Sequence, residues 1–347
     1  MNGSLVSRRA AVLGALGGAG LVVFGGVAGA HPHRPLRIAV ATNEPWGTYH
    51  VKPLLSEAAR RGWQLTQLVP DLSNIAPGEP VPVATPDTLR GADLLVVTGA
   101  GDWPVECAER FRRLPLAASS LAYLGPAEAP LARRLRGRLR SITSSSPAES
   151  RAFGGYLGTH RRIRVVGSPQ TDNLPRRAPE TDLVLVVTSV TRPNGTGGAA
   201  PGTELLLTAA EQLAAAGKRI LVGLHPREDR SLWDRYEISD VATVQASARA
   251  EVAIGIPGTV FPLITAVGTP VVGCTDPALT VPDYLLAVCS STIGDPAAAV
   301  QAVGDARLPA ANVLADAVGP VGGSAARLLD VWRRAASPSR HLAHAGR

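Results

Sequence analysis

Short apolar segments alternate with amphipathic, helix-like segments along most of this chain. The clearest apolar segment covers residues 93–98, Asp-Leu-Leu-Val-Val-Thr, and is followed by Gly99 and Gly101. Such a continuous run is typical of a strand that is buried on both faces, as in a parallel sheet covered by helices. Because strand-like and helix-like segments keep alternating, the sequence predicts an α/β fold with parallel sheets.

Length and pattern together predict two domains. At 347 residues the chain is longer than one core usually supports. The polar segment 176–181 is the best linker, and it separates the ranges 36–175 and 182–336. We expect two Rossmann-like domains that face each other across a cleft, followed by a loose tail at 337–347. The second range has predicted strands at 183–188, 219–224, 242–245, 252–255, 270–273 and 286–289.

The first thirty residues differ from the rest. Ser7-Arg8-Arg9 precedes an uncharged segment, 10–30, that ends in the small residues Ala28-Gly29-Ala30. This pattern resembles a twin-arginine export signal, and if uncleaved the segment is long enough to anchor the chain in a membrane. Both outcomes predict an extracytoplasmic protein, whereas an incorrectly assigned start codon is the alternative.

The composition narrows the classes of partner. With 45% hydrophobic and 18% charged residues the chain is globular, and its formal charge of +7 favours anionic ligands. No nucleic-acid-binding module, cofactor motif or metal-ligand spacing is recognisable, and the three cysteines are best explained as buried thiols, although Cys274 and Cys289 are candidates for a disulfide. The densest basic tracts predict either contact with an anionic membrane surface or a solvated helix face; they contain Arg133, Arg134, Arg136, Arg138, Arg140, Arg161, Arg162 and Arg164.

Residues 47–62 carry a recognisable motif. They read Gly-Thr-Tyr-His-Val-Lys-Pro-Leu-Leu, then a helix-like segment, then Arg-Arg-Gly. This order resembles the opening of GT-B glycosyltransferases, in which the histidine borders the acceptor site. The resemblance implies that His50 is a general base for a hydroxyl acceptor and that Asp102, after the next buried strand, orients it.

The second half contains the corresponding donor-side motifs. Ser189 follows the first predicted strand, and His225-Pro226-Arg227 follows the second. The turn Gly258-Thr259-Val260, followed by a helix and Gly268-Thr269-Pro270, resembles the donor-binding element of GT-B enzymes. The resemblance implies that a diphosphate binds at the amides of this turn and near Arg227.

One departure from the family pattern affects the donor. The glutamate that holds the ribose hydroxyls in GT-B enzymes is replaced here by Leu263. We therefore consider a transferase that uses a nucleotide-sugar or another diphosphate-activated donor and a hydroxyl acceptor. The alternative is an exported, catalytically silent GT-B-like protein that binds a glycan, nucleotide or cell-envelope ligand. A weaker third hypothesis, based on His225-Pro226, is an epimerase or phosphotransferase on the same scaffold.

Overall fold

The computed structural model describes residues 34–121, 123, 127–192, 198–225 and 227–337. The predicted signal at 1–30 and the predicted tail beyond Ser337 lie outside these residues. The described residues from Pro35 onwards form one compact unit. No helix among the described residues combines the length and the apolar character that crossing a bilayer requires.

The first half is a seven-stranded parallel sheet in the order β3-β2-β1-β4-β5-β6-β7. Its strands are β1 Arg37–Ala41, β2 Gln64–Leu68, β3 Val83–Ala84, β4 Leu94–Val97, β5 Leu116–Ser119, β6 Leu139–Ser144 and β7 Arg164–Val165. Its helices are α1 Leu55–Arg60, α2 Asp102–Arg110, α3 Ala132–Arg136 and α4 Pro147–Tyr156. All four residues of β4 are buried, as the apolar run 94–97 predicts.

The second half is a six-stranded parallel sheet in the order β10-β9-β8-β11-β12-β13. Its strands are β8 Leu183–Val187, β9 Arg219–Gly223, β10 Glu237–Ile238, β11 Val252–Gly255, β12 Val271–Cys274 and β13 Ser291–Ile293. The helices that follow β8 are α5 Thr203–Ala215, α6 Thr243–Ser247, α7 Phe261–Val267, α8 Asp283–Ala287, α9 Ala299–Gly304, α10 Ala311–Val318 and α11 Ser324–Ala336.

In both sheets the order in which successive strands are added reverses near the centre. The reversal lies between β1 and β4 in the first sheet and between β8 and β11 in the second. This is the strand order of a Rossmann fold, in which ligands bind beyond the carboxyl ends of the central strands. The prediction of an α/β fold with two Rossmann-like domains is confirmed. Two predicted strands in the second half are wrong, because 242–245 lies in α6 and 286–289 overlaps the end of α8.

The chain crosses between the halves twice. Helix α11 packs on the first sheet, where Trp332 is fully buried and donates its indole N–H to the Ser119 hydroxyl at 2.8 Å. Asp172, on the first crossing, caps this helix by accepting from the amides of Ser324 and Ala325 at 2.7 and 2.8 Å. Although the predicted range 182–336 assigns α11 to the second domain by sequence, the helix completes the core of the first sheet.

Loops at the carboxyl ends of β5 and β6 contact the second half. Tyr123 donates its hydroxyl to the Val318 carbonyl at 3.0 Å, and its ring lies 6.4 Å from that of Tyr284. Arg151 forms an ion pair with Asp316 at 2.7 Å. These contacts hold the carboxyl edge of the first sheet against the second half.

The three cysteines are free thiols. Cys107 and Cys274 are buried and Cys289 is half-buried. Burial raises the pKa of each thiol to about 12, so the sulfur atoms remain protonated at neutral pH.

Candidate active site between the two sheets

The His50 loop, residues 42–50, begins at the carboxyl end of β1. Its last three residues, Thr48–His50, form a short 3-10 helix. The Thr48 hydroxyl donates to a Glu79 carboxylate oxygen at 2.8 Å, which ties the loop to the segment before β3. The loop folds tightly here, because a Cβ atom at Gly47 would lie only 3.2 Å from Cδ2 of His50.

The His50 imidazole is held in its neutral form. Burial lowers its pKa to about 4, while the nearby Glu44 carboxylate acts in the opposite direction. Its Nδ1 atom is buried and has no hydrogen-bond partner among the described residues. A buried polar atom without a partner is costly, so its presence at a sheet edge where ligands bind indicates a place for a ligand hydrogen bond.

Glu44 is the carboxylate that acts on His50. It also accepts a hydrogen bond from the Tyr49 hydroxyl, and the Tyr49 ring lies 4.0 Å from the His50 ring. Burial, and then this hydrogen bond, raise the pKa of Tyr49. Asp102, predicted as the partner of His50, is exposed at the first residue of α2. Among the described residues no hydrogen bond joins Asp102 to His50.

The floor of the site is a polar network around Asn43. Its backbone amide donates to the Thr98 hydroxyl at 2.9 Å, and its side-chain amide donates to the Tyr156 hydroxyl at 3.1 Å. The side-chain oxygen Oδ1 of Asn43 accepts from the Gly101 amide at 3.3 Å. The loops after β1 and β4 are thus joined to each other and to α4.

The opposite side of the site is the His225 loop, which follows β9 and consists of Leu224, His225 and residues 227–229, with Pro226 outside the described residues. The His225 amide donates to the Thr188 hydroxyl at 2.7 Å, and the Arg227 amide donates to Nδ1 of His225 at 3.2 Å. Buried Glu228 accepts from the amide of Thr191 at 2.7 Å. These bonds connect the loops after β8 and β9 in the same way that Asn43 connects those after β1 and β4.

Electrostatic interactions join the two loops. The Arg227 charge lowers the pKa of Tyr49, opposing the larger effects of burial and Glu44. In the other direction, the Glu44 charge raises the pKa of His225, although burial and Arg227 lower it overall. The structure therefore brings His50, His225 and Arg227 to facing edges of the two sheets, as the sequence predicts.

The predicted diphosphate turn lies after β11. Helix α7 begins at Phe261, directly after this turn, and has seven residues with Pro262 in its first turn. The backbone amides of Gly258, Thr259 and Val260 donate to no acceptor among the described residues. Ser189 is half-buried and Thr259 is exposed. The glycine-rich segment 193–197 lies outside the described residues.

Leu263 and Asp276 distinguish this side of the site. Leu263 is 4% exposed and its side chain packs in the core of the second half. The Asp276 carboxylate accepts from the Gly202 amide at 3.2 Å, directly before α5. A protein carboxylate therefore occupies the N-terminal end of this helix, where an anionic ligand is otherwise favoured.

Glu44, Tyr49, Glu79 and Glu228 are residues of the site that sequence reasoning missed. Glu44 and Tyr49 lie within eight residues of the end of β1 at Ala41. An acidic residue so near to a candidate base is a signal that could have identified Glu44. Glu79 and Glu228 lie in irregular segments, where their roles depend on tertiary contacts with Thr48 and Thr191.

No protein-family model matches this sequence, and no curated protein sequence matches it significantly. Solved structures do match. A variant of the wall teichoic acid polymerase TagF is 12% identical with a TM-score of 0.58, covering 87% of this chain and 89% of that chain. UDP-GlcNAc 2-epimerase from Methanocaldococcus jannaschii, in complex with UDP-GlcNAc and UDP, is 12% identical with a TM-score of 0.56, covering 86% and 100%.

MurG from Acinetobacter baumannii is also similar, with 12% identity, a TM-score of 0.53 and coverage of 86% of this chain and 100% of that chain. At this level of identity the similarity establishes the architecture. The shared architecture contains two parallel Rossmann-like sheets, which are seven and six strands wide in this chain. The chain therefore has the GT-B fold.

Proposed function

We propose that the protein transfers a glycosyl group from a diphosphate-activated donor to a hydroxyl acceptor, with His50 as the general base. The observation that carries the proposal is the half-buried, neutral His50, whose buried Nδ1 atom has no partner among the described residues. A neutral imidazole with a free nitrogen can accept a proton from a hydroxyl within hydrogen-bond distance. Its place after β1 is where a Rossmann-like sheet binds ligands.

The transfer step needs few groups. The acceptor oxygen attacks the anomeric carbon while the bond from that carbon to the diphosphate oxygen breaks, and the bonding electrons leave with the diphosphate. The acceptor proton passes to His50. Arg227 is placed to stabilise the negative charge on the leaving diphosphate, because a guanidinium pairs with phosphate oxygens through two N–H groups.

The similar structures support a nucleotide-linked donor. The epimerase structure is a complex with UDP-GlcNAc and UDP, and one TagF structure comes from a soak with CDPG. We propose ligands of this class for the present chain. We also propose an extracytoplasmic location, because the Arg8-Arg9 segment resembles an export signal. Fractionation of cells that express the Arg8→Lys/Arg9→Lys variant tests this, and unchanged export would contradict it.

A specific observation favours the alternative of a catalytically silent binder. Leu263, at the position of the ribose-binding glutamate, is buried in the core and offers no hydrogen-bond acceptor to a ribose. Export would also separate the protein from cytoplasmic nucleotide sugars. A silent binder would keep the ligand site between the sheets and lack turnover.

Calorimetric titration with UDP-GlcNAc and CDP-glycerol tests donor binding. We expect binding of at least one donor, weakened about tenfold or more by Arg227→Ala, since charge-assisted hydrogen bonds contribute about 1.5–3 kcal/mol. Arg235→Ala is the matched control, because Arg235 pairs with Glu211 instead. No binding of either donor, or equal weakening by both variants, would contradict the proposal.

Turnover separates the transferase from the silent binder. Release of UDP from UDP-GlcNAc, with glycerol and simple glycosides as hydroxyl acceptors, is measured for the natural protein and for His50→Gln. We expect His50→Gln to reduce the rate by about 100-fold or more while donor binding persists. His160→Gln, which changes an exposed histidine, is the control. Donor binding without any release would favour the silent binder.

A further inference from the structure

A basic groove lies in the first half, where β6 begins, at the end of the sheet away from the candidate active site. Its volume is about 750 Å³. Strand β6 begins in the groove with Leu139 and Arg140 and ends with Ser144 on the side that faces the second half. Helix α11 provides the other wall through Val331, Arg334 and Ala335.

Arginines dominate the lining of the groove, which contains no aspartate or glutamate. The six are Arg138, Arg140, Arg161, Arg162, Arg164 and Arg334. None of the six forms an ion pair with a carboxylate among the described residues. Six guanidinium groups in one concave surface produce a positive potential that attracts anions.

Other arginines of the chain behave differently. Arg61 pairs with Glu57 and Asp330, Arg151 with Asp316, and Arg249 with Glu180, all at 2.6 or 2.7 Å. Several arginines outside the groove are thus neutralised by a carboxylate of the same chain, whereas others, such as Arg112 and Arg113, form no ion pair among the described residues. The simple interpretation of a solvated, charge-balanced surface does not describe the groove.

Several groove arginines are fixed in place through neutral partners. Arg140 donates to the carbonyls of Ala335 and Ser337, both at 3.0 Å, and Arg138 donates to the Arg112 carbonyl at 3.0 Å. Carbonyl partners orient a guanidinium without cancelling its charge, and they leave other N–H groups available. Arg162 and Arg164 have no side-chain hydrogen bond among the described residues and are exposed.

Ser141 adds a polar group to the groove. Its hydroxyl oxygen is buried and has no hydrogen-bond partner among the described residues. A hydroxyl that lines an arginine-rich groove can donate to an anionic oxygen. The orphaned hydroxyl is a second indication, independent of the arginines, that a ligand binds here.

We propose that this groove binds a phosphate-bearing anion, through Arg140, Arg161, Arg162 and Arg164 together with the Ser141 hydroxyl. Guanidinium groups match phosphate oxygens in geometry and charge, and a groove of this volume admits more than one phosphate group or a phosphodiester headgroup. Two sources supply this chemistry, a soluble oligophosphate and an anionic lipid headgroup. The groove is independent of the donor site proposed between the sheets.

Titration with tripolyphosphate, and sedimentation with phosphatidylglycerol or phosphatidylcholine vesicles, tests the proposal on the whole protein. We expect tripolyphosphate, phosphatidylglycerol vesicles or both to bind, and phosphatidylcholine vesicles not to bind. Arg162→Glu/Arg164→Glu should weaken this binding at least about tenfold. Arg90→Glu/Arg133→Glu makes the same change in net charge at exposed positions outside the groove and should change it less than about twofold.

The two arms identify the source. Tripolyphosphate binding that is lost only in the groove variant indicates a soluble anion, and vesicle binding lost in the same way indicates a lipid headgroup. Absence of binding in both arms, or equal loss in the two double variants, would overturn the proposal. The variant Arg162→Gln/Arg164→Gln controls for misfolding. It should have an unchanged midpoint of thermal unfolding and should still bind the anion more weakly. UDP-GlcNAc binding should survive in all of these variants.

Discussion

The two halves share one strand order, but the loops that follow their central strands differ in their hydrogen bonds. In the first half, Asn43 and Thr48 tie the loops beyond β1 to Thr98, Tyr156 and Glu79. In the second half, the turn after β11 leaves the amides of Gly258–Val260 without acceptors among the described residues, and Leu263 is buried in the core. In the function proposed above, the first half would hold the acceptor and is tied by hydrogen bonds, whereas the second half would hold the donor and offers no ribose contact at Leu263.

This difference indicates where selectivity for a ligand resides. A loop held by several hydrogen bonds presents its base in one geometry before the ligand arrives. A donor side without a ribose acceptor gains its binding energy mainly from the diphosphate. We expect little discrimination between ribose and 2′-deoxyribose nucleotides, measured as the affinities for UDP and 2′-deoxy-UDP.

The largest expected effect tests the connection between the halves. Gly319 has φ 79°, and a Cβ atom there would lie 2.1 Å from the Ser145 carbonyl oxygen. Gly319→Ala should lower the free energy of unfolding by about 3 kcal/mol or more, measured by urea denaturation. Gly322 has φ 76° with no atom near its Cβ position, so Gly322→Ala should cost only about 1–2 kcal/mol. Equal losses would show that the close approach to Ser145 is unimportant.

The next effect compares the two histidines. The pKa of His50 in the folded protein is about 4, below the unfolded value of 6.5, so the unfolded chain binds more protons between these pH values. The resulting stability is present above pH 6.5 and is lost as the pH falls towards 4, by up to about 3 kcal/mol. His50→Gln should flatten this part of the stability profile, measured by urea denaturation at several pH values.

His225→Gln is the control on the opposite loop. Burial and the Arg227 charge lower its pKa as well, but it is less buried than His50. We expect a smaller flattening of the same profile. A larger effect from His225→Gln than from His50→Gln would reverse the comparison between the two sides.

Asn43→Ala tests the pre-organisation of the first half. The variant removes hydrogen bonds to Tyr156 and Gly101, which should cost about 1–2 kcal/mol of the free energy of unfolding. Tyr156→Phe removes one of these bonds and should cost about 1 kcal/mol or less. If Asn43→Ala leaves the free energy of unfolding unchanged, the network does not organise the site.

The smallest effect tests whether the His50 loop and the His225 loop interact electrostatically. The Glu44 charge raises the pKa values of His50 and His225, so Glu44→Gln should lower both. Titration of the histidine ring protons by NMR measures the change. Asp102→Asn, which removes a charge from the exposed end of α2, should leave both values unchanged. A pKa change at His50 without one at His225 would show that the Glu44 charge does not reach the His225 loop.

The central strands were predictable because their signal is strong. Residues 94–97 and 252–255 are short, continuous apolar runs, and burial on both faces requires such runs in a parallel sheet. The edge strands were not predictable, since β10 has two residues and β13 has three, two of which are exposed. The segments 242–245 and 286–289 have strand-like composition but lie in or beside five-residue helices, whose conformation depends on tertiary packing.

The site was predictable as far as strand ends determine it. His50, His225 and Arg227 follow strands whose carboxyl ends face each other, so the topology alone brings them together. The partner of His50 depends on the path of a loop, and the structure brings Glu44 rather than Asp102 close to it. Neither spacing nor composition determines the direction of such a loop.

The packing of α11 on the first sheet has a consequence for synthesis. Trp332 and the neighbouring apolar residues of this helix cover one face of strands that are made some 200 residues earlier, and the ribosome exit tunnel retains the newest part of the chain. An emerging chain therefore exposes that apolar face until α11 has left the ribosome. We expect the nascent N-terminal half to recruit holding chaperones and to reach its native state only after α11 has emerged.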